Sequence, residues 1–302
     1  GSGHLLHMPA HVYMRTGRYA DASRANEASI AADRAYEAQV DAQRAYRVGY
    51  VAHNHHFLFA SAAMEGRSRA AIGAADAAFP AACGPNPPDR STGILQQYAV
   101  LPLFARVRFG QWRALLEDTL PPDGPEPYPR AIWHYARGTA YAKTGRPAEA
   151  RAELARRDAV AADPALTQIK VKNINAAVAL VRIAQLTLAA DIAAADRRTA
   201  DAVALLTQAV AVEDALVYDE PHLWLAPTRH ALGAALIAAG RYDDAARVYR
   251  EDLAHYPGNG WSLAGLAEAL RRGGNKDEAT RVEALARAAW RNADIALAGS
   301  RP

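Results

Sequence analysis

A frame of small and large residues set around a single glycine recurs along this chain, and it restricts the possible folds more than any other feature. Its clearest copy has Gly233 and Leu236 seven and four residues before Gly240, with Ala245 five residues after it, then Tyr249 and Pro257. The frame returns at Trp133–Pro164 with Gly138, Tyr141, Gly145 and Ala150, and at Leu6–Arg34 with Ala10, Tyr13, Gly17 and Ala22. From Trp261 to Trp290 it keeps Leu263, Leu266, Ala267, Leu270, Gly274 and Ala279. The physical reading is a pair of antiparallel helices. The central glycine permits a tight turn in which φ is positive. The small residues let the two helices approach, and the large ones fill the holes between them.

Three weaker pairs occupy the gaps. Residues 50–80 carry Phe59, Ala62, Gly66 and Ala70; residues 96–119 carry Leu103, Gly110 and Leu115; residues 174–213 are two apolar helices around Asp196-Arg197-Arg198. The four specific units, near 4–37, 131–164, 226–257 and 260–292, resemble the tetratricopeptide repeat, a helix–turn–helix of about 34 residues. One hairpin cannot bury its apolar face alone, so successive hairpins stack. No segment alternates with the period of two expected of a half-buried strand, and alanine, the best helix former, is abundant. The expected fold is all-α: a right-handed α-solenoid of about seven hairpins, without a sheet, forming one body over residues 1–302. Pro/Gly-rich connectors are expected at 80–93 and 121–129, with a third interruption at Asp219–Trp224.

Composition narrows the function classes. Thirty-five Lys+Arg against 32 Asp+Glu give a formal charge of +3, and the arginines interleave with acids along helix faces. That pattern reads as solvated surface, and no nucleic-acid partner is expected. The single cysteine, Cys83, excludes an internal disulfide and cysteine-rich zinc modules. No apolar run approaches a membrane span, and no membrane partner is expected. The sequence contains no GxxxxGK[ST], strand-linked GxGxxG, HExxH or GxSxG pattern.

The segments HLLHMPAHVYMRTGRYADA, HNHHFLFASAAMEGRS, AIWHYARGTAYA, EDALVYDEP and PGNGWSLAGLAEAL together resemble a group of bacterial tetratricopeptide-repeat proteins of unassigned biochemical role. The resemblance spans about residues 1–298. It implies the fold and further repeats toward the N-terminus, and it implies no activity. The start at Gly1-Ser2-Gly3, running at once into Leu5, Leu6 and Met8, leads to the same expectation: this is the C-terminal portion of a longer protein. Leu5 and Met8 are then expected to meet missing repeats or a second chain. A cytoplasmic location is expected, with export left open by the apparent truncation.

The chemistry-bearing feature is a set of histidines on two helical stripes. His4, His7 and His11 are spaced i, i+3, i+7, with Met14 continuing the row; His53 and His56 repeat the i, i+3 spacing beside Ala60 and Ala63. In the first pair Leu6, Ala10, Tyr13 and Gly17 match the packing positions, which leaves the histidine stripe for the concave groove. His55 falls on the packing stripe of the second pair, and His134 on that of its own helix. Neutral imidazole is the commonest transition-metal ligand, and two stripes on neighbouring helices can supply four ligands. The candidate metal ligands are therefore His4, His7, His11, His53 and His56. Zinc suits an all-nitrogen tetrahedral site, and copper, nickel and iron remain open.

Met14, Tyr135, Glu220 and His230 are weaker groove-lining candidates, Glu220 as a carboxylate ligand or base. Glu65 and Arg67 lie at a hairpin turn, where an ion pair with Arg15 or Arg18 of the neighbouring turn is expected. Three functional readings stand: a groove-held metal for sensing, handling or support of ligand binding; a scaffold that takes a peptide segment or small ligand in the groove; and a metal-dependent enzyme with its active site there. Fold alone does not choose among them.

Overall fold

The structure, a computed structural model, describes residues 3–40, 42–85, 90–117, 124–296 and 299–302. Seven helical pairs follow one another among these residues. The first consists of α1 (Gly3–His7), α2 (Pro9–Arg15) and α3 (Tyr19–Glu37), the break at Met8 preceding a proline that lacks a helical donor. The second opens with α4 (Arg44–Tyr46) and a π turn (Arg47–Val51) before α5 (Ala52–Met64) and α6 (Ser68–Cys83). The third is α7 (Gly93–Arg108) with the short α8 (Trp112–Glu117), and the fourth α9 (Pro127–Lys143) with α10 (Pro147–Ala161). After α11 (Ala165–Gln168) come α12 (Ala177–Ala195) with α13 (Thr199–Asp214), α14 (Thr228–Ala238) with α15 (Tyr242–His255), and α16 (Gly260–Arg272) with α17 (Lys276–Ala289). The fold is an all-α helical-repeat solenoid. Helices extend further into the proline-rich connectors than expected: α6 carries Pro80 within it, and α9 begins at Pro127. Residues 86–89 and 121–123 of those connectors lie outside the described residues.

One turn geometry serves all seven pairs. The residue in the left-handed region is Gly17, Gly66, Gly110, Gly145, Arg197, Gly240 and Gly274 in turn. In each case the next residue donates its N–H to the carbonyl five positions earlier. Examples are Arg18 to Tyr13 (2.8 Å), Arg146 to Tyr141 (2.9 Å), Arg198 to Ala193 (2.8 Å) and Asn275 to Leu270 (2.8 Å). This six-to-one bond satisfies carbonyls that the helix end would leave unpaired. The fifth pair has no turn glycine, and Arg197 holds φ at +62° instead.

The close approaches fall where small residues were expected. A Cβ on Gly233 would lie 2.3 Å from the Tyr249 ring, and one on Gly138 2.6 Å from a Leu188 methyl. Ala10, Ala22, Ala150 and Ala245 are fully buried. Two expectations need correction. A two-stranded antiparallel ladder, β1 (Lys170–Val171) with β2 (Asn175–Ala176), joins the fourth and fifth pairs. Its tight loop places Lys172 and Asn173 at φ +50° and +64°, a local device too short to produce an alternating pattern. Helix α12, of 19 residues and mean hydropathy 1.6, is long and apolar enough to cross a membrane by length and composition. Its 67% burial among neighbouring helices is that of a core helix.

The solenoid coils back upon itself. Gly17, at the first turn, lies against the backbone of Pro257; a Cβ there would be 2.3 Å from the Pro257 carbonyl oxygen. Asp294 accepts from the Ser68 N–H (2.6 Å) and donates its own N–H to the Gly66 carbonyl (3.2 Å). Trp261, fully buried, donates to the Ala63 carbonyl (2.8 Å). The room expected beside Ala60 and Ala63 is therefore filled, because both alanines pack into one core with Leu223, Trp224, Leu225 and Trp261. The connector before α14 and the start of α16 thus pack directly on the second pair.

Candidate metal centre

The histidine stripes meet where the first two pairs face the connector between α13 and α14. His7 is fully buried on α1, and its Nδ1 lies 2.7 Å from Asn26 Oδ1 on α3. The Asn26 amide is oriented by its own Nδ2, which donates to the Ala22 carbonyl at 2.7 Å. Its oxygen must therefore face His7, and His7 Nδ1 is the donor. His11 directs its Nδ1 at the Glu220 carboxylate, so that nitrogen also carries the proton. Each neutral ring thus presents an unprotonated Nε2, and the two Nε2 atoms stand 3.0 Å apart. Two lone pairs at that distance repel unless a proton or a cation lies between them.

Protonation of His7 and of His53 is disfavoured. Burial pushes His7 down to about 4, against the bond to Asn26, with His11 and His4 adding to the lowering. Burial likewise holds His53 well below the ordinary imidazole value, helped by Lys172 and His7. His53 closes the group, since one ligand atom from each of His7, His11 and His53 lies within 4.8 Å of the others. Metal–nitrogen bonds of 2.0–2.1 Å at tetrahedral angles put ligand nitrogens about 3.3 Å apart, so modest rotations of the three rings suffice. The acceptors on the far side of His7 and His11 have the form of the outer shell that orients metal-binding histidines.

The remaining candidates are placed as follows. His4 stacks on His7 at 5.9 Å between centroids and tilts on Tyr50 at 4.4 Å, beside the three-histidine group but not within it. His56 lies outside it too. Fully buried, His56 meets Tyr98 edge-on at 5.9 Å, and neither ring nitrogen has a partner among the described residues. Met14 packs against the core. Tyr135 is buried beside the Trp224 ring (5.4 Å). His230 is also buried, with Nε2 2.9 Å from Asp252 and Nδ1 2.9 Å from Arg108. Neither Tyr135 nor His230 faces an open groove: Tyr135 packs on Trp224 of the connector before α14, and His230 is enclosed by Arg108, Asp252 and Ser300. Glu220 does reach the histidines, as a partner of His11.

The connector is held by specific bonds. Asn175 exchanges two with Val217 (2.7 and 2.9 Å), and Lys172 donates to Asp219 (3.0 Å) and to the Glu220 carbonyl (2.6 Å). The tip of the small hairpin thus fixes the loop that presents Glu220. Asn26 was missed by the sequence reading, although a signal existed. Ser23, Asn26, Ser29 and Asp33 form a polar row on α3, and all four are fully buried. Glu65 is also buried and accepts from Ser23 (2.5 Å), while Arg67 pairs with Glu27 (2.7 Å). Arg18 instead pairs with Asp21 at 2.6 Å and Arg15 lies over the Tyr218 ring, which replaces the expected pairing. Leu5, Met8 and Val12 are exposed on the outer face of α1 and α2.

Residues 236–297 match the tetratricopeptide-repeat family. The same turn geometry recurs in the preceding pairs, so the matched segment continues the helical-repeat architecture of the rest of the chain. Among solved structures it is similar to the kinesin-light-chain nearly identical TPR-like repeats of Podosopora anserina: 17% identity, 80% of this chain and 96% of that chain, TM-score 0.40. A single-substitution variant of those repeats gives 17% identity, 79% and 93% coverage, and a TM-score of 0.41. None of the curated proteins compared matches the chain.

Proposed function

We propose that this repeat protein holds a divalent transition metal through His7, His11 and His53. Tetratricopeptide repeats are in general scaffolds for protein segments, and the metal centre is the specialisation of this chain. The observation that carries the reading is the facing pair of Nε2 atoms, 3.0 Å apart with both Nδ1 atoms committed to acceptors. A metal cation relieves that repulsion, and His7 and His53, kept neutral by burial, are in the protonation state a metal requires. Three nitrogen donors suit zinc, and the same set accepts copper, nickel or iron. His4 is the nearest candidate for a fourth ligand. If that position takes water or a substrate instead, the site supports metal-assisted chemistry. In that case Glu220 acts through His11, as a positioning residue.

The test is metal content of the purified protein by mass spectrometry, before and after chelation, alongside the double variant His7→Ala/His53→Ala. About one metal per chain is expected in the parent and none in the variant, with helix content unchanged. Equal metal content in the two proteins, or affinity no better than that of an exposed histidine tag, removes the proposal. A second reading, a peptide-binding scaffold, is favoured by a cavity of about 720 Å³ beside α16 and α17, lined by Arg271, Arg272, Ala286 and Trp290. It would then lead.

A further inference from the structure

Behind the loop that presents Glu220 lies a separate cavity of about 410 Å³, between that loop, the end of α13 and the end of α15. Its size is at the small end for ligand cavities, which run from about 300 to 1,000 Å³. Four carboxylates line it: Glu213, Asp214, Asp219 and Asp252. Two are neutralised locally, Asp214 by a two-bond pair with Arg229 (2.6 and 2.8 Å) and Asp219 by Lys172 (3.0 Å). Among the described residues the other two have no Lys or Arg within ion-pair distance, and Asp252 meets only the His230 ring.

Asp252 is only 1% exposed. Its Oδ2 accepts from His230 Nε2 (2.9 Å), Asn259 Nδ2 (3.1 Å) and Ser262 Oγ (2.7 Å), and its Oδ1 has no partner among the described residues. His230 is itself held neutral by burial, and Arg108 donates to its Nδ1. Arg108 thus reaches the carboxylate through the His230 ring, while Arg229 lines the same cavity and acts on Asp252 and Glu213 through its charge without an ion-pair contact to either. Glu213 accepts from the N–H and hydroxyl of Thr228 through one oxygen, Oε2 (2.7 and 2.5 Å). Asp252 is thus a buried carboxylate with an unfilled oxygen, which is costly unless a partner supplies charge or a donor, whereas Glu213 is half-buried and open to the cavity. Around the two acids stand the rings of Trp224, Tyr256 and His222, and an aromatic wall attracts cations while excluding water.

We propose that this cavity binds a small organic cation, an ammonium group on an apolar body, with the charge between Asp252 and Glu213 and the body against Trp224 and Tyr256. The site uses none of the metal-ligand histidines, and occupancy of one does not require the other. Glu213 faces Thr228 and Arg229 on α14, Asp252 on α15 and Tyr256 just beyond it. Burial pushes its carboxyl up to about 7, against the Thr228 bonds, with Asp252 raising it and Arg229 lowering it. Ammonium affinity should accordingly rise between pH 6 and 8 as Glu213 ionises.

The experiment is calorimetric titration with 2-phenylethylammonium and with its neutral counterpart 2-phenylethanol. Parent, Glu213→Gln, Asp252→Asn and His7→Ala/His53→Ala proteins are compared, each checked for helix content. The ammonium should bind the parent and the histidine variant alike, at least about tenfold more tightly than the alcohol, as expected for a charge-assisted contact. Glu213→Gln should weaken it about tenfold and flatten the pH dependence. Equal binding of the alcohol, no binding of the ammonium, or a Glu213→Gln protein indistinguishable from the parent overturns the proposal. Should Asp252→Asn fail to fold, Glu213→Gln alone decides.

Discussion

Trp261 donates its indole N–H to the carbonyl of Ala63, 2.8 Å away and 198 residues earlier in the chain. The bond lies on the seam where the seventh pair meets the second. The Trp261 ring meets Trp290 edge-on at 4.8 Å and lies under the Arg108 guanidinium at 4.0 Å. Removing it deletes a buried aromatic and the seam together. Trp261→Ala is expected to cost about 3–5 kcal/mol, as large aromatic truncations do, measured by urea unfolding. Small-angle scattering should also show a larger radius of gyration. An unchanged radius would mean that the seam closes without Trp261.

The first turn gives a sharper test of the same contact. Gly17 and Gly240 share φ +73°, but a Cβ on Gly240 meets open space while one on Gly17 meets Pro257. Gly240→Ala is expected to cost about 1–2 kcal/mol, the ordinary penalty of a left-handed alanine. Gly17→Ala should cost clearly more, because the Pro257 backbone must also shift. Equal losses would show that the seam yields freely.

Arg197 is the one non-glycine among the seven left-handed turn residues, and it is exposed. Replacing it with glycine relieves a backbone penalty of about 1–2 kcal/mol, partly offset by the unfolded-state entropy of glycine at about 0.5–1 kcal/mol. Arg197→Gly should therefore stabilise the protein by up to about 1 kcal/mol, visible as a higher denaturant midpoint. A lower midpoint would contradict this account of the turn.

Acid should destabilise the fold before its carboxylates titrate. Burial holds both His7 and His55 at about 4 in the folded chain, against about 6.5 when unfolded. The unfolded state then binds more protons between those values, so stability is full above about pH 6.5 and is lost as pH falls toward 4. Each group contributes on the order of 2 kcal/mol of this loss by pH 5. Glu213, raised to about 7 against about 4.3 when unfolded, works with the opposite sign over the same window and offsets about one of the two histidines, leaving a net loss on the order of 2 kcal/mol by pH 5. A midpoint unchanged between pH 7 and pH 5 would show that these imidazoles are not buried neutral.

For the metal centre, Glu220→Gln leaves the three ligands in place and removes the charge that orients His11. A 10–100-fold loss of metal affinity is expected, the usual effect of losing such a partner, with unfolding stability nearly unchanged. Affinity equal to that of the parent would remove Glu220 from the site.

The repeat frame was legible because its glycines and small residues answer to local geometry, which a sequence records directly. The fifth pair was the hardest to see for the same reason: Arg197 occupies a position where glycine was the expected mark. The spacing of His7 and His11 and the place of His53 were also readable, since a helical stripe needs only the count of residues. The position of Glu220 was not, because it depends on how far the superhelix has turned after five pairs. The packing of Leu223, Trp224 and Trp261 on the second pair escaped for the same cause, as did the burial of Tyr135 and His230. Asn26 is an intermediate case: its polar row is periodic, but polar residues on a second helix ordinarily face solvent.

A solenoid whose ends stay apart gains or loses a unit at little cost, since each unit touches only its neighbours. Here Gly17 meets Pro257 and Ser68 meets Asp294, so the number of pairs between these contacts is set by closure. Duplication or deletion of a single unit, the common route by which repeat arrays change length, would leave the seam without its opposite face. A change of copy number across the seam therefore has to rebuild both contacts, whereas a change at the exposed surface does not.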